Sequence, residues 1–268
     1  LVLLLQIPFY GSNLSLCLLI SFINGYKKAK GEVAAIQGYL ELEDERAEEG
    51  SGRWRFEQEV VFEDVTFRYP HTEKDILSHK NLRIKKGDWV GIIGPSGIGK
   101  STVLELLLRF YDADGGRILV DGQSVKEINL YDLRRAISYV PQEPVLRQGT
   151  IRDNLLLAKP DATEEQLKNA AERTGILAQI EGGLDREVGE RGMALSGGER
   201  QRIAIARCLL DGRKLILLDE ATSQMDGSTQ DAMAQVLSEE QKARGATVLS
   251  VAHRLEFNRF ADATISIQ

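Results

Sequence analysis

A glycine-rich turn set between a strand and a helix constrains this chain more than any other feature. The segment Gly94–Thr102, GPSGIGKST, follows the apolar run Trp89–Ile93 and opens onto the helical pattern Val103–Phe110. Strand, loop and helix start in that order form a cradle for phosphate. The loop residues Gly94, Pro95, Ser96, Gly97, Ile98 and Gly99 can turn tightly enough for backbone N–H groups to point inward at an anion. The helix N-terminus adds partial positive charge at the same place. Lys100 can reach the β- and γ-phosphates, and Ser101 can place its hydroxyl on a magnesium ion. A nucleoside triphosphate is the expected ligand; a bland turn between strand and helix is the competing reading.

Composition narrows the classes further. The chain has 268 residues and a formal charge of −6, with 43% hydrophobic and 28% charged residues. That profile fits a globular majority and argues against a nucleic-acid footprint. Cys17 and Cys208 are the only cysteines, too few for a disulfide framework or a zinc site. The first residue is Leu, so a piece of a longer polypeptide is expected.

Residues Leu1–Tyr26 contain no Asp, Glu, Lys or Arg. The run is long enough to cross a hydrocarbon core as a helix, despite Pro8, Gly11 and Asn13. Lys27, Lys28 and Lys30 follow at once, which places the downstream part on the cytoplasmic side. A cleaved signal peptide would need a basic leading segment that is not present. A buried core helix is the other alternative, because Gln6, Ser12, Asn13 and Ser15 are polar; in a membrane these would face neighbouring helices. Gly31–Leu42 continues near helical spacing through Val33, Ala34, Ile36 and Leu40. The acidic Glu41–Glu49 and the break at Gly50–Gly52 read as a solvated linker.

From Phe56 onward the pattern alternates. Val60–Tyr69, Leu82–Ile84, Arg117–Val120 and Ile137–Val140 have strand composition. Trp89–Ile93, Lys214–Leu218 and Thr247–Ala252 are continuous apolar runs, the mark of a parallel sheet buried on both faces. Helical spacing fills Thr150–Ile180, where Thr163 and Gln166 can form a capping box, and the run from Ser196 to Leu210. The expected fold is an α/β sheet with a helical insertion.

Chemistry-bearing residues gather at the ends of these strands. Asp219 and Glu220 close the run Lys214–Leu218, at the sheet edge where ligands bind in open α/β folds. Asp219 suits Mg²⁺, and Glu220 suits the orientation of attacking water as general base; an acidic cap before a helix is the plainer reading. His253 ends the run Thr247–Ala252 and could donate to a γ-phosphate, although a lone His is more often structural. Ser196, with Gly197 and Gly198, marks a second anion-receptive helix start, or simply a softened cap. One triphosphate has only one γ end. A dimer in which each subunit presents its second helix start to the other's nucleotide resolves the duplication.

The ordered segments GPSGIGKST, YVPQEP (139–144), LSGGERQR (195–202), LILLDE (215–220) and VAHRL (251–255) resemble the ATP-binding cassette (ABC) family over about Phe56 to Gln268. EVGERG (187–192), GTIRDNL (149–155), the N-terminal QIP and KAKGEVAAIQGYLE (28–41) resemble exporters of that family. The resemblance implies a P-loop core of mainly parallel sheet, an antiparallel β subdomain and an α-helical subdomain at about 141–205. The cassette would occupy 50–268, preceded over 1–49 by the end of the last transmembrane helix, its cytosolic extension and the linker. It further implies ATP and Mg²⁺ as cofactors, with Tyr69 stacking on adenine and Lys100, Ser101 and Thr102 holding phosphate and metal. Asp219 and Gln142 would also serve the metal, and Gln142, Glu220 and His253 would serve catalysis. Ser196, Gly197, Gly198 and Glu199 would meet the γ-phosphate of a partner's ATP, and Asp226 would link the two sites. The partners implied are a second cassette arranged head-to-tail, homologous or identical, the membrane-spanning domain of the same polypeptide, and a transported substrate, with no nucleic acid. SQMD (223–226) stands where the family usually has SALD, and Cys208 where it commonly has Ala. A soluble cassette acting on nucleic acid or ribosomes is the alternative within the family. A small-molecule kinase would explain the cradle but leave LSGGERQR without a role.

Overall fold

Two sheets share the chain between them, one antiparallel and one parallel. The structure is a computed structural model that describes residues 21–34, 36–37, 50–252 and 257–267. The chain divides into two compact units, residues 1–48 and 49–268. In the first, helix α1 spans residues 21–34 and continues at 36–37, with Phe22, Tyr26, Val33 and Ile36 exposed. Among the described residues no helix is long and apolar enough to cross a membrane. The expected span falls mostly on residues 1–20, and the acidic linker on 41–49, outside the described residues.

In the second unit the antiparallel sheet runs β2-β1-β4-β5: β1 is Glu59–Phe67, β2 Leu77–Lys85, β4 Gly115–Val120 and β5 Gln123–Ser124. Alternation along β1 buries Val60, Phe62, Val65 and Phe67 on one face, as a half-covered sheet requires. The Asp121 carboxylate fastens the start of this strand, accepting the N–H groups of Gln58 and Glu59 at 2.9 Å each. Burial opposes its charge, but the Glu57 N–H together with these two holds its carboxyl below the ordinary aspartate range.

The parallel sheet runs β6-β7-β8-β3-β9, with β3 at Trp89–Ile93, β6 at Ile137–Val140, β7 at Leu215–Asp219, β8 at Thr247–Val251 and β9 at Ala263–Ser266. β7 and β8 are buried at every position, so their apolar runs are the sequence expression of helices on both faces. The buried hydroxyl of Ser250 accepts the Trp89 indole N–H at 2.8 Å. Helix α2 (Lys100–Leu107) follows β3 directly, and α3 (Leu130–Arg135) leads into β6.

Between β6 and β7 the chain builds α4 (Ile151–Leu156), α5 (Glu164–Arg173), α6 (Ile176–Gln179) and α7 (Gly197–Asp211). Capping boxes start α4 at Thr150/Asp153 and α5 at Thr163/Gln166, satisfying backbone donors the helices leave free. A separate apolar cluster, including Leu155, Leu167, Ile176 and Val188, forms the heart of this insertion. Helix α7 belongs to two clusters at once: Ile203, Ala206 and Leu210 face the insertion, while Ala204, Ile205, Cys208 and Leu209 face the parallel sheet. Asn154, fully buried, joins α4 to α7 by accepting from the Arg207 guanidinium at Oδ1 (2.6 Å) and at its carbonyl (2.8 Å). Helix α8 (Gly227–Arg244) then returns to β8.

The fold class read from the sequence is the one observed, and several boundaries move. β2 begins at Leu77, where only Leu82–Ile84 looked strand-like. Asp219 is the last residue of β7, not the residue after it.

Candidate functional site

Every parallel strand described here ends at one edge, and the site is assembled there. β3 ends in the loop 94–99, and two of its glycines are required by geometry. Gly94 has φ 153°, and a Cβ on it would lie 2.8 Å from the carbonyl oxygen of Ile267; Gly99 has φ 102°, and its Cβ would lie 2.7 Å from Ile76 Cγ2. A side chain at either position would open the loop. Pro95, Ser96 and Gly97 are exposed at its crest, while Ile98 packs against the core. Lys100 is buried, and its ammonium donates to the carbonyls of Gly94 at 3.0 Å and Pro95 at 2.8 Å. A cation is thus held inside the loop, where an anion would meet it.

The next residue ties the loop to β7. Ser101 Oγ donates to Asp219 Oδ1 at 2.7 Å. Burial raises the Asp219 carboxyl above the ordinary aspartate range, since desolvation disfavours its charge. Two hard oxygen donors converge here, a hydroxyl and a carboxylate, which is the donor chemistry a magnesium ion takes. Glu220 and Gln142 meet beside them: Gln142 Nε2 donates to Glu220 Oε2 at 2.8 Å. Glu220 adopts φ 48°, a left-handed backbone that a side chain disfavours and that a fixed surrounding structure must hold.

Tyr69 also leans on α2. Its hydroxyl donates to Glu105 Oε2 at 2.6 Å and lies 2.9 Å from Thr102 Oγ1. Burial, and then the Glu105 hydrogen bond, pushes the phenol up to about 12. The ring meets Phe67 and Tyr111 edge-on at 5.0 and 5.2 Å. The aromatic corner is therefore braced on the helix that carries the phosphate loop.

The second helix start is built as the sequence predicts. Ser196 caps α7, its Oγ accepting the Glu199 N–H at 3.3 Å while Glu199 Oε2 accepts the Ser196 N–H at 2.6 Å. Ser196, Gly197, Gly198 and Glu199 line one concave surface with Gln224, Asp226 and Thr229. None of the residues lining it comes from the loop 94–102. Asp226 also caps α8, accepting from Ser228 Oγ, Thr229 Oγ1 and the Thr229 N–H. These bonds hold its carboxyl well below the usual range. His253 lies outside the described residues.

Two side chains that enter this geometry carry no local motif signal of their own: Glu105, which holds the Tyr69 hydroxyl, and Gln201, whose amide reaches the segments around Gln142 and Glu220. Gln201 has only its place inside LSGGERQR to mark it, between the equally polar Arg200 and Arg202.

Residues 77–223, more than half of the chain, match the ABC transporter family. This chain belongs to that family. It is 41% identical over 251 residues to the ABC multidrug transporter mdr1 of Aspergillus fumigatus, a match covering 90% of this chain and 18% of that protein. It is 46% identical over 200 residues to the mitochondrial iron-sulfur clusters transporter atm1 of the same organism, covering 74% of this chain and 27% of the relative. Among solved structures it resembles a bacterial Atm1-family ABC exporter with ATP bound, at a TM-score of 0.74 and 37% identity, covering 81% of this chain and 38% of that one. The ABC chain therefore spans well under half the length of these proteins. Its fold is the ABC ATPase fold, and it is the nucleotide-binding part of an ABC protein.

Proposed function

We propose that this chain binds and hydrolyses ATP as the cassette of an exporter, and that the energy moves a substrate across a membrane. The pairing of Ser101 with Asp219 and of Gln142 with Glu220, side by side at the mouth of the phosphate loop, carries the reading. Loop N–H groups and Lys100 would bind the β- and γ-phosphates, and Tyr69 would stack on adenine. Ser101, Asp219 and Gln142 would hold Mg²⁺, which neutralises charge on the phosphate oxygens when bound. Glu220, oriented by the Gln142 amide, would accept the proton of the attacking water, with His253 donating to the γ-phosphate.

The concave surface at Ser196–Glu199 supports a head-to-tail arrangement with a second cassette. There it would receive the γ-phosphate of the partner's ATP, with Asp226 linking the two sites. Binding energy shared over two composite sites would draw the cassettes together, and hydrolysis would release them. The residue ranges proposed are 50–268 for the cassette, with its helical subdomain at about 141–205, and 1–49 for the end of a membrane helix, its extension and a linker. The relatives named as transporters favour a membrane-spanning domain in the same polypeptide, and Lys27, Lys28 and Lys30 favour a cassette on the cytoplasmic face.

The test is Mg²⁺-dependent phosphate release from ATP by the whole polypeptide in lipid vesicles, with and without an intact Glu220. Turnover that survives Glu220→Gln at the wild-type rate would refute the assignment.

A further inference from the structure

Gln201 is completely buried, yet it is an amide on the inward side of α7. Its Oε1 accepts the backbone N–H of Gln224 at 3.0 Å. Its Nε2 lies 3.2 Å from the carbonyl of Gln142, 3.3 Å from the carbonyl of Glu220 and 3.2 Å from Ser223 Oγ. A backbone N–H only donates and a backbone carbonyl only accepts, so these neighbours fix which end of the amide is which. One side chain on the helix that opens with Ser196 thus grips the Gln142 segment, the Glu220 turn and the loop leading to Asp226.

The Glu220 turn needs such a grip. Its backbone sits at φ 48°. Its N–H donates to the Val251 carbonyl at 2.9 Å, and its own carbonyl receives Gln201. The strained residue is held from β8 on one side and from α7 on the other. Gln142 and Glu220 are also joined through their side chains, so the buried amide closes a ring of contacts behind that pair.

We propose that Gln201 is a positioning residue for hydrolysis: it sets the Gln142–Glu220 pair and carries displacements of the Ser196 helix start to it. This rests on the reading of Glu220 as general base. Gln201 acts through the backbones of Gln142, Glu220 and Gln224.

Two variants in the whole chain separate the ends of the amide. Gln201→Glu keeps an oxygen for the Gln224 N–H but turns a second oxygen toward two carbonyls; protonation restores a donor there. Gln201→Leu removes both functions. Hydrogen exchange at the Gln224 amide reads the bracing without any turnover. In Gln201→Leu that amide is expected to exchange roughly tenfold faster or more, the effect of losing one buried acceptor. In Gln201→Glu its protection stays near wild type, while kcat at pH 8 falls about tenfold or more with KM for ATP little changed. Part of that deficit, measured against wild type at each pH, is recovered at pH 6. Unchanged Gln224 exchange in Gln201→Leu, or a loss in Gln201→Glu confined to KM, overturns the proposal. A wild-type chain that does not hydrolyse ATP would overturn the proposed function, and the exchange measurement would still decide the bracing.

Discussion

Ser101 and Asp219 stand 118 positions apart in the chain and share a hydrogen bond of 2.7 Å. The first lies in the opening turn of the helix after the phosphate loop; the second ends the strand just before the proposed base. Their contact makes the loop and the acidic strand end one object.

Glu220→Gln keeps the size of the side chain and its contact with Gln142 but removes the proton acceptor. ATP hydrolysis should fall by about 10²–10⁴-fold, the range for a lost general base. Binding of ATP, measured by titration with a fluorescent analogue, should persist.

Lys100→Ala removes a cation held by the loop's own carbonyls. Charge-assisted hydrogen bonds contribute about 1.5–3 kcal/mol each, so ATP affinity should drop roughly tenfold or more. Equilibrium binding with Mg·ATP checks this, and an unchanged Kd would remove Lys100 from the phosphate site.

Ser196→Asp distinguishes capping from ligand binding. Aspartate caps a helix about as well as serine, so thermal stability should stay close to wild type. Its negative charge would repel the γ-phosphate of a facing nucleotide, and ATP-induced dimers should vanish in light scattering. Dimers that form normally would refute the facing role of this helix start.

Asn154→Leu deprives the partly buried Arg207 guanidinium of one of its acceptors, the amide Oδ1 at 2.6 Å. Because the backbone carbonyl survives, the loss is that of one buried charged contact and its amide network. A destabilisation of about 2–4 kcal/mol is expected in urea titrations of the cassette.

Cys208 is buried, and desolvation pushes its thiol up to about 12. The thiolate, the reactive form, grows only as pH rises toward that value. In a Cys17→Ser background, iodoacetamide should leave the native chain unlabelled at pH 8 and label it once denaturant is added.

How much of this could be read in advance depended on the range of the interactions. β3 stands at the bounds its sequence marks, because a strand buried on both faces declares itself as an apolar run, and β6 stands where strand-forming composition puts it. β2 was read short because its outer half, around His79, Lys80 and Asn81, faces solvent and breaks the apolar signal. β9, largely exposed along Ala263–Ser266, offers only Ile265 to the core, too little to mark a strand. The phosphate loop, Asp219 and Glu220 were legible because each is a local pattern. The partners that orient them were not. Glu105 and Gln201 look ordinary in sequence, and their roles arise from contacts 36 and 59 positions away.

Helix α7 buries nine of its fifteen residues, some against the insertion and some against the sheet. Such a helix has almost no side on which bulk can be added. Variation that the chain tolerates must therefore concentrate elsewhere, and the segment beginning at Ser196 should be the slowest to drift. Any tilt of the insertion has to swing about this axle or tear it from one of its two beds.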